Sequence, residues 1–501
     1  MLSQFALLIL GFFSQRAMNL YMGAELVGMN GVISNVINIL SVTELGISTA
    51  IVYHLYGALA RKDEAEIASL MNLYRKAYHV FAVLVFAAGM AVLPFIHLFM
   101  KNNSYSLSYI RVLYAMWLVR TVLSYLLTYR KSLLIADQKE YIASITGLIL
   151  NVVSYLAIIL LVTWEQNYLL ALGIGTVTEV VLNIWISWYV EQKYPFLRQR
   201  RKEKSTSSLT KRIVRDLKSL FISRISEKML YCTDNLIISG FIGVGTVGRY
   251  ANYCMITQAI SNILTILANT IQPTVGDYFT EKNRQRNYEI LRQLTFGFFC
   301  IASVVSVGLF SLITPFVRDI WLGPSYELGW GITVFCIVVL LVRIMGLPLS
   351  LVMGVTGLFE KEKNVGASSA LLNLIVSLAL VKPYGMAGVL LGTLLSYLLQ
   401  ILYRYIIYFR DFLEMPGEAL RYAQDIGEYL AVIAGEVLLM QKIVPLIYGA
   451  GGMLLFCVCF LLCIAIPLLL DLVIFGRGWR LQSIVTCLLY TSPSPRDGAT
   501  S

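Results

Sequence analysis

The sequence predicts an all-α polytopic membrane protein, and three observations carry that prediction. The 501 residues are 58% hydrophobic and only 14% charged, with a mean hydropathy of +0.72, whereas soluble domains carry about 25% charged residues. Apolar runs recur along nearly the whole chain, each long enough to cross the hydrocarbon layer as a helix of about 20 residues. Runs such as Val80–Phe99 and Leu148–Val162 lack the alternating ten-residue segments of a transmembrane β-barrel.

Taken in order, the apolar runs give about fourteen helices, over 2–22, 30–59, 77–100, 109–130, 141–163, 169–190, 216–241, 248–275, 294–317, 328–355, 366–381, 385–408, 426–445 and 449–475. The first run, Phe5–Phe13, meets Ser14, Gln15 and Arg16 with no small-residue cleavage motif, so it reads as a span rather than a signal peptide. Charged stretches separate the others, and an even count places both termini on one side. The last fifteen residues, CLLYTSPSPRDGATS, break in composition and resemble translated vector sequence; 487–501 is set aside as a non-native tail.

Orientation follows from the loops. The stretch Gln192–Lys218 alone holds ten basic residues, and counting alternately from it puts 28 of the 40 Lys and Arg on its side against four on the other. Cytoplasmic loops collect Lys and Arg. The excess over 29 acidic residues, formally +11, is thereby explained by topology, and no nucleic acid is expected. The eight cysteines lie in or beside apolar runs without metal-ligand spacing, and only three histidines are present; neither a metal site nor a cofactor is expected.

The chain repeats itself weakly. Gly23-x4-Gly28 matches Gly243-x4-Gly248, Leu118-Val119-Arg120 matches Leu341-Val342-Arg343, Leu150-Asn151 matches Leu372-Asn373, and Gly175-Thr176 matches Gly392-Thr393, all in collinear order. A repeat of six helices gives two bundles of the same orientation related by an axis along the membrane normal. The expected domains are a first six-helix lobe over 1–190, a basic cytoplasmic linker over 191–218, a second lobe over 219–408, and two additional helices over 409–480.

Ionisable residues inside spans cost about 2.5–3.5 kcal/mol on insertion scales and normally face a cavity or a partner. In span seven Arg224, Glu227, Lys228, Tyr231, Asp234 and Asn235 share a stripe about 120° wide. They read as a cavity wall, the competing reading being an internally neutralised pair such as Arg224–Glu227. Arg120 and Arg343 occupy matching places in the two halves, and Tyr114, Trp117 and Arg120 share one face of span four. That combination suits a sugar- or phosphate-bearing ligand through stacking and bidentate contacts; a purely structural arginine is the alternative. Arg16 in span one, Asn38 and Glu44 on a polar face of span two, and Asn262 and Asn269 on span eight complete the candidates. Polar faces of this kind also serve as helix–helix glue. The cationic set is Arg16, Arg120, Arg224, Lys228 and Arg343; Glu44, Glu227 and Asp234 are the ion-coupling candidates.

No GxxxxGK[ST] phosphate loop, HExxH or GxSxG is present, so nothing supports ATP use, hydrolysis or group transfer. The chain is not read as an enzyme. Transport would draw on an ion gradient, the membrane potential or the substrate's own gradient.

The stretches LGFFSQRAMNLYMGAELVGMNGVISNVINILSVTELGISTAI (10–51) and TDNLIISGFIGVGTVGRYANYCMI (233–256), with the twelve-plus-two layout, resemble the polysaccharide transporter family. These are the O-antigen and capsular polysaccharide flippases, in the superfamily that also holds multidrug and toxin extruders and lipid II flippases. The resemblance covers about residues 10–475. It implies a MATE-like fold in the bacterial cytoplasmic membrane with both termini cytoplasmic. It further implies movement of an undecaprenyl-pyrophosphate-linked oligosaccharide to the outer leaflet by alternating access, with proton or sodium as the coupling ion, beside glycosyltransferases and a polymerase. Three alternatives remain. A cation-coupled multidrug antiporter would prefer an acidic, aromatic cavity, and a flippase of the same superfamily would serve another lipid-linked cargo such as lipid II. A membrane polymerase or ligase would need a longer outer loop than about Arg318–Leu328.

Overall fold

The structure is a computed structural model and describes residues 2–41, 47–198, 228, 232–279, 283–449 and 451–476. Among them every regular element is helical. In chain order these are α1 (Leu2–Ala17), α2 (Gly23–Leu40), α3 (Ile47–Ala60), α4 (Glu64–Val92), α5 (Leu107–Thr128), α6 (Lys131–Ala136), α7 (Glu140–Trp164) and α8 (Tyr168–Lys193). A helical stretch over 232–241, α9, follows. The rest are α10 (Val244–Phe279), α11 (Arg284–Pro315), α12 (Trp330–Val355), α13 (Phe359–Tyr384), α14 (Met386–Ile407), α15 (Pro416–Tyr448) and α16 (Met453–Phe475). Eleven helices among the described residues are long and apolar enough to cross a membrane. Of the three other expected spans, the first is α1 continued by a π-helical turn over Met18–Met22, and the seventh lies largely outside the described residues.

The second expected span, 30–59, is two helices. Helix α2 begins at Gly23, seven residues early, and ends at Leu40; α3 starts at Ile47. Gly23 adopts φ +82°, a conformation that suits glycine and breaks the path of the preceding helix. Three other helices also begin well before their apolar runs: α4 at Glu64, α11 at Arg284 and α15 at Pro416. Asp63 and Asn283 accept hydrogen bonds from the Glu66 and Arg286 amides at 3.0 and 3.2 Å, and Pro416 sits at the first helical position of α15. Caps and an N-terminal proline start a helix wherever the chain supplies them, and hydropathy does not register such polar first turns.

The chain forms two compact units, Met1–Ala251 and Asn252–Ser501. The division falls inside α10 rather than in the basic linker, because the start of α10 packs within the first unit. There the glycine repeat acquires a physical meaning. A Cβ on Gly28 would lie 1.9 Å from the Val244 carbonyl oxygen, and one on Gly248 would lie 1.8 Å from that of Ala24. The two G-x4-G motifs cross each other reciprocally at backbone contact, while Gly23 and Gly243, both with positive φ, turn the chain into each helix. Close approach through small residues is how membrane helices gain packing energy when lipid is as apolar as leucine.

The segment after α4 fastens this crossing. Lys101 Nζ and Asn102 Nδ2 donate to the Phe241 and Ile242 carbonyls at 3.0 and 2.9 Å, and the Val244 amide donates to the Lys101 carbonyl at 3.1 Å. Glu25 accepts from the Ser104 amide at 2.9 Å and its hydroxyl at 3.2 Å. Tyr105 donates to the Met22 carbonyl at 3.2 Å; burial first and Glu25 second raise its phenol above the usual value, which keeps the donor protonated. At another loop, Tyr194 and Lys139 both donate to Asp137, tying the α6–α7 turn to the end of α8. Burial, then Tyr189, pushes the Tyr194 phenol up to about 12.

In the second unit α11 is central, packing against α12, α15 and α16. Its core joins Tyr288, Leu291, Leu349, Val352, Met353, Tyr408, Phe409 and Tyr422. Helix α16 is highly apolar yet exposes Leu454, Leu461, Leu469 and Val473, as a lipid-facing helix does. None of the seven described cysteines is joined in a disulfide, and no group of three or more His, Cys, Asp or Glu suited to a metal occurs among the described residues.

Gly28→Ala or Gly248→Ala should destabilise the protein by about 1–3 kcal/mol, the usual cost of overpacking, because the clash is with backbone. Gly147→Ala, whose Cβ would meet nothing within 4 Å, should be neutral. Thermal unfolding of the three variants in detergent checks this; equal midpoints would remove the crossing as a packing constraint.

Candidate functional site

Helix α5 presents Tyr114, Trp117 and Arg120 at successive turns, and α8 brings up Glu179. Arg120 Nε lies 2.7 Å from Glu179 Oε2, with both side chains about one-fifth exposed. The same guanidinium lies over the Trp117 ring, 5.5 Å from its centroid. Trp117 Nε1 and the Tyr168 hydroxyl both donate to Asn30 Oδ1, each at 2.8 Å. One carbonyl oxygen thus anchors the indole that carries the arginine, a supporting arrangement that fixes the cation's position.

The second unit repeats half of this pattern. Arg343 of α12 lies over the Tyr397 ring of α14, again 5.5 Å from the centroid. By the register that aligns Gly175 with Gly392, the position equivalent to Glu179 is Ser396, which is fully buried and donates to the Ser369 carbonyl at 2.8 Å. Each unit therefore holds a guanidinium against an aromatic face, and only the first supplies a carboxylate at that position. A glycine–serine contact between neighbouring helices is also repeated. A Cβ on Gly175 would meet Ser154 Oγ at 3.2 Å, and one on Gly392 would meet Ser377 Oγ at 2.4 Å. Asn373 Nδ2 donates to Thr393 Oγ1 at 2.9 Å.

The other expected residues scatter. Arg224, Glu227, Tyr231 and Glu44 lie outside the described residues. Lys228 Nζ is 3.4 Å from Asn38 Oδ1, and Asn38 Nδ2 is 3.5 Å from Ser34 Oγ, so spans two and seven meet at polar side chains. Asp234 is buried and Asn235 half-buried. Arg16, Asn262 and Asn269 are exposed on their helices. Tyr114 sits in the core rather than on a cavity wall: it is fully buried, and its hydroxyl donates to the Gly89 carbonyl at 3.0 Å.

Sequence reasoning missed Glu179, Tyr168 and Tyr397. Glu179 was within reach, since a carboxylate inside an apolar span is the same signal that singled out the arginines. Tyr168 and Tyr397 carry no such signal among 30 tyrosines. The second unit also contains an apolar cavity of about 650 Å³ between α12, α14 and α15, lined by Met345, Leu349, Leu398, Leu402, Tyr405 and Ile426 among others.

Residues 1–279 match the family model described as polysaccharide biosynthesis protein. Searching the curated proteins returned no match. Among solved structures, the chain is similar to the lipid II flippase MurJ in an inward closed conformation, with a TM-score of 0.66 at 16% identity, over 95% of this chain and 98% of that one. It is also similar to an inward-facing multidrug resistance MATE transporter of the MOP superfamily (0.64, 14%, covering 81% and 94%) and to the MATE multidrug transporter DinF-BH (0.57, 14%, covering 82% and 93%). At these identities the likeness shows a common fold.

A double-mutant cycle on Arg120→Met and Glu179→Met should give a coupling of about 0.5–3 kcal/mol, as for other pairs in direct contact. Chemical or thermal unfolding of the four proteins reads it; additive effects would mean that the two charges do not hold each other.

Proposed function

The chain belongs to the polysaccharide biosynthesis protein family, and from that premise we propose that it is a flippase for an undecaprenyl-pyrophosphate-linked oligosaccharide, an O-antigen, capsule or exopolysaccharide repeat unit. The cargo passes from the cytoplasmic to the outer leaflet by alternating access of two six-helix lobes, 1–190 and 219–408, with 191–218 between them on the cytoplasmic side. Inward movement of protons or sodium drives it. Both termini stand in the cytoplasm, and the protein works beside glycosyltransferases and a polymerase in the bacterial cytoplasmic membrane.

The observation that carries this reading is the matched pair of guanidinium–aromatic contacts, Arg120 over Trp117 and Arg343 over Tyr397. A guanidinium within a span needs a reason to be there. Its planar donor fork fits phosphate oxygens, and a ring beside it offers an apolar face to a sugar. In low-dielectric surroundings such attraction is several-fold stronger than in water. Glu179 then neutralises Arg120 while no cargo is bound, and an anionic head group competes for the same donors. The apolar cavity of about 650 Å³ suits part of a polyprenyl chain.

In proteoliposomes, a fluorescent undecaprenyl-pyrophosphate oligosaccharide should change leaflet faster with an imposed proton or sodium gradient than without one. Arg120→Ala and Arg343→Ala should each abolish this while leaving insertion intact. Full activity with both replaced would remove the arginines from the site. Efflux of an organic cation in place of glycolipid translocation would make the protein an antiporter.

A further inference from the structure

Three layers stack along the packed helices α11, α15 and α16 of the second unit. In the first, Arg292 of α11 and Asp425 of α15 form a two-pronged ion pair at 2.6 and 3.0 Å. In the second, Phe299 stacks on Tyr429 at 4.4 Å and 19°, and Phe475 of α16 stands edge-on to both at 5.4 and 5.6 Å. In the third, Ser303 Oγ donates to Glu436 Oε2 at 2.6 Å. Asp471 lies one turn before Phe475 on α16 and so falls at the level of this layer.

We propose that Glu436 and Asp471 form a carboxyl pair buried in the membrane domain that binds one exchangeable proton. Each residue is 3% exposed. Glu436 Oε1 and both carboxylate oxygens of Asp471 have no hydrogen-bond partner among the described residues, and the buried Ser306 hydroxyl, one turn along α11 from Ser303, is likewise unmatched. The three orphaned carboxyl oxygens are acceptors that neither the Ser303 nor the Ser306 hydroxyl satisfies. A proton on either carboxyl turns an orphaned acceptor into a donor and removes one of two like charges held in a low-dielectric setting.

The surrounding groups do not supply that charge. On α11 the titratable neighbours are the Cys300 thiol and, beyond the rings, Arg292 already held by Asp425. Helix α15 adds the Tyr429 hydroxyl, and α16 adds the Cys463 thiol further along, beside Ser311. A metal cation needs a fuller oxygen shell than two carboxylates and a serine offer, and no suitable group of three or more ligands occurs among the described residues. The aromatic layer separates the pair from the Arg292–Asp425 ion pair, so the two charged layers do not neutralise each other. Nothing in this argument depends on the cargo.

Infrared difference spectroscopy of the full chain in lipid nanodiscs, scanned across pH, tests the assignment without a transport assay. The wild type should show the carbonyl band of a protonated carboxyl near neutral pH, lost on raising the pH. The double variant Glu436→Gln/Asp471→Asn should lack it. Ser303→Ala, which deletes a donor and no titrating group, should keep the band and shift its frequency; this variant serves if the double variant does not fold. Identical carbonyl regions in wild type and double variant, an unshifted band in Ser303→Ala, or removal of the band by sodium at fixed pH would each overturn the proposal.

Discussion

A charge carried into the hydrocarbon layer must find an opposite charge, a ring face or a bound ion. That constraint orders the polar interior of this protein. Arg120 has both Glu179 and Trp117, Arg343 has Tyr397, and Arg292 has both oxygens of Asp425. Glu179, Tyr397 and Asp425 each come from a different helix than the arginine they meet, so satisfying the charge also fixes which helices are neighbours. Glu436 and Asp471 are held to the same rule with no cation at hand, and a bound proton meets it.

The second organising element is the reciprocal glycine crossing. The motif Gly23-x4-Gly28 and its counterpart Gly243-x4-Gly248 divide the labour in the same way: the first glycine takes the positive φ that redirects the chain, the second lets a backbone through. Duplication of a motif that packs against its own copy makes both copies indispensable, since a side chain on either one opens the same contact. Gly175 against Ser154 and Gly392 against Ser377 show the repeat again inside each unit, there as parallel equivalents.

Fold class and membrane location were legible because hydropathy over twenty-residue windows is a direct readout of the solvent a helix faces. Helix starts were not, because Asp63, Asn283 and Pro416 act through local backbone chemistry that hydropathy averages away. The collinear repeat led to Arg120 and Arg343, and both are found against aromatic rings. Their partners lay hidden for two different reasons: Glu179 was passed over although it obeyed the rule in use, while Tyr397 is one of many tyrosines and acquires its role only from the packing of α12 on α14. Tyr114 shares a helical face with Arg120 yet faces α4, since a face about 120° wide spans both packed and open surfaces.

The polar first turns of α4, α11 and α15 have a mechanical consequence. Each adds about ten residues before the apolar run, or roughly 15 Å of helix at 1.5 Å per residue, comparable to a headgroup layer. Their charges, among them Glu66, Arg284 and Arg421, favour water and lipid head groups, while the apolar segments beyond must match the acyl chains. In a thicker or thinner bilayer these helices adjust by leaning rather than by sliding, so lipid chain length acts on the protein as a setting of helix tilt.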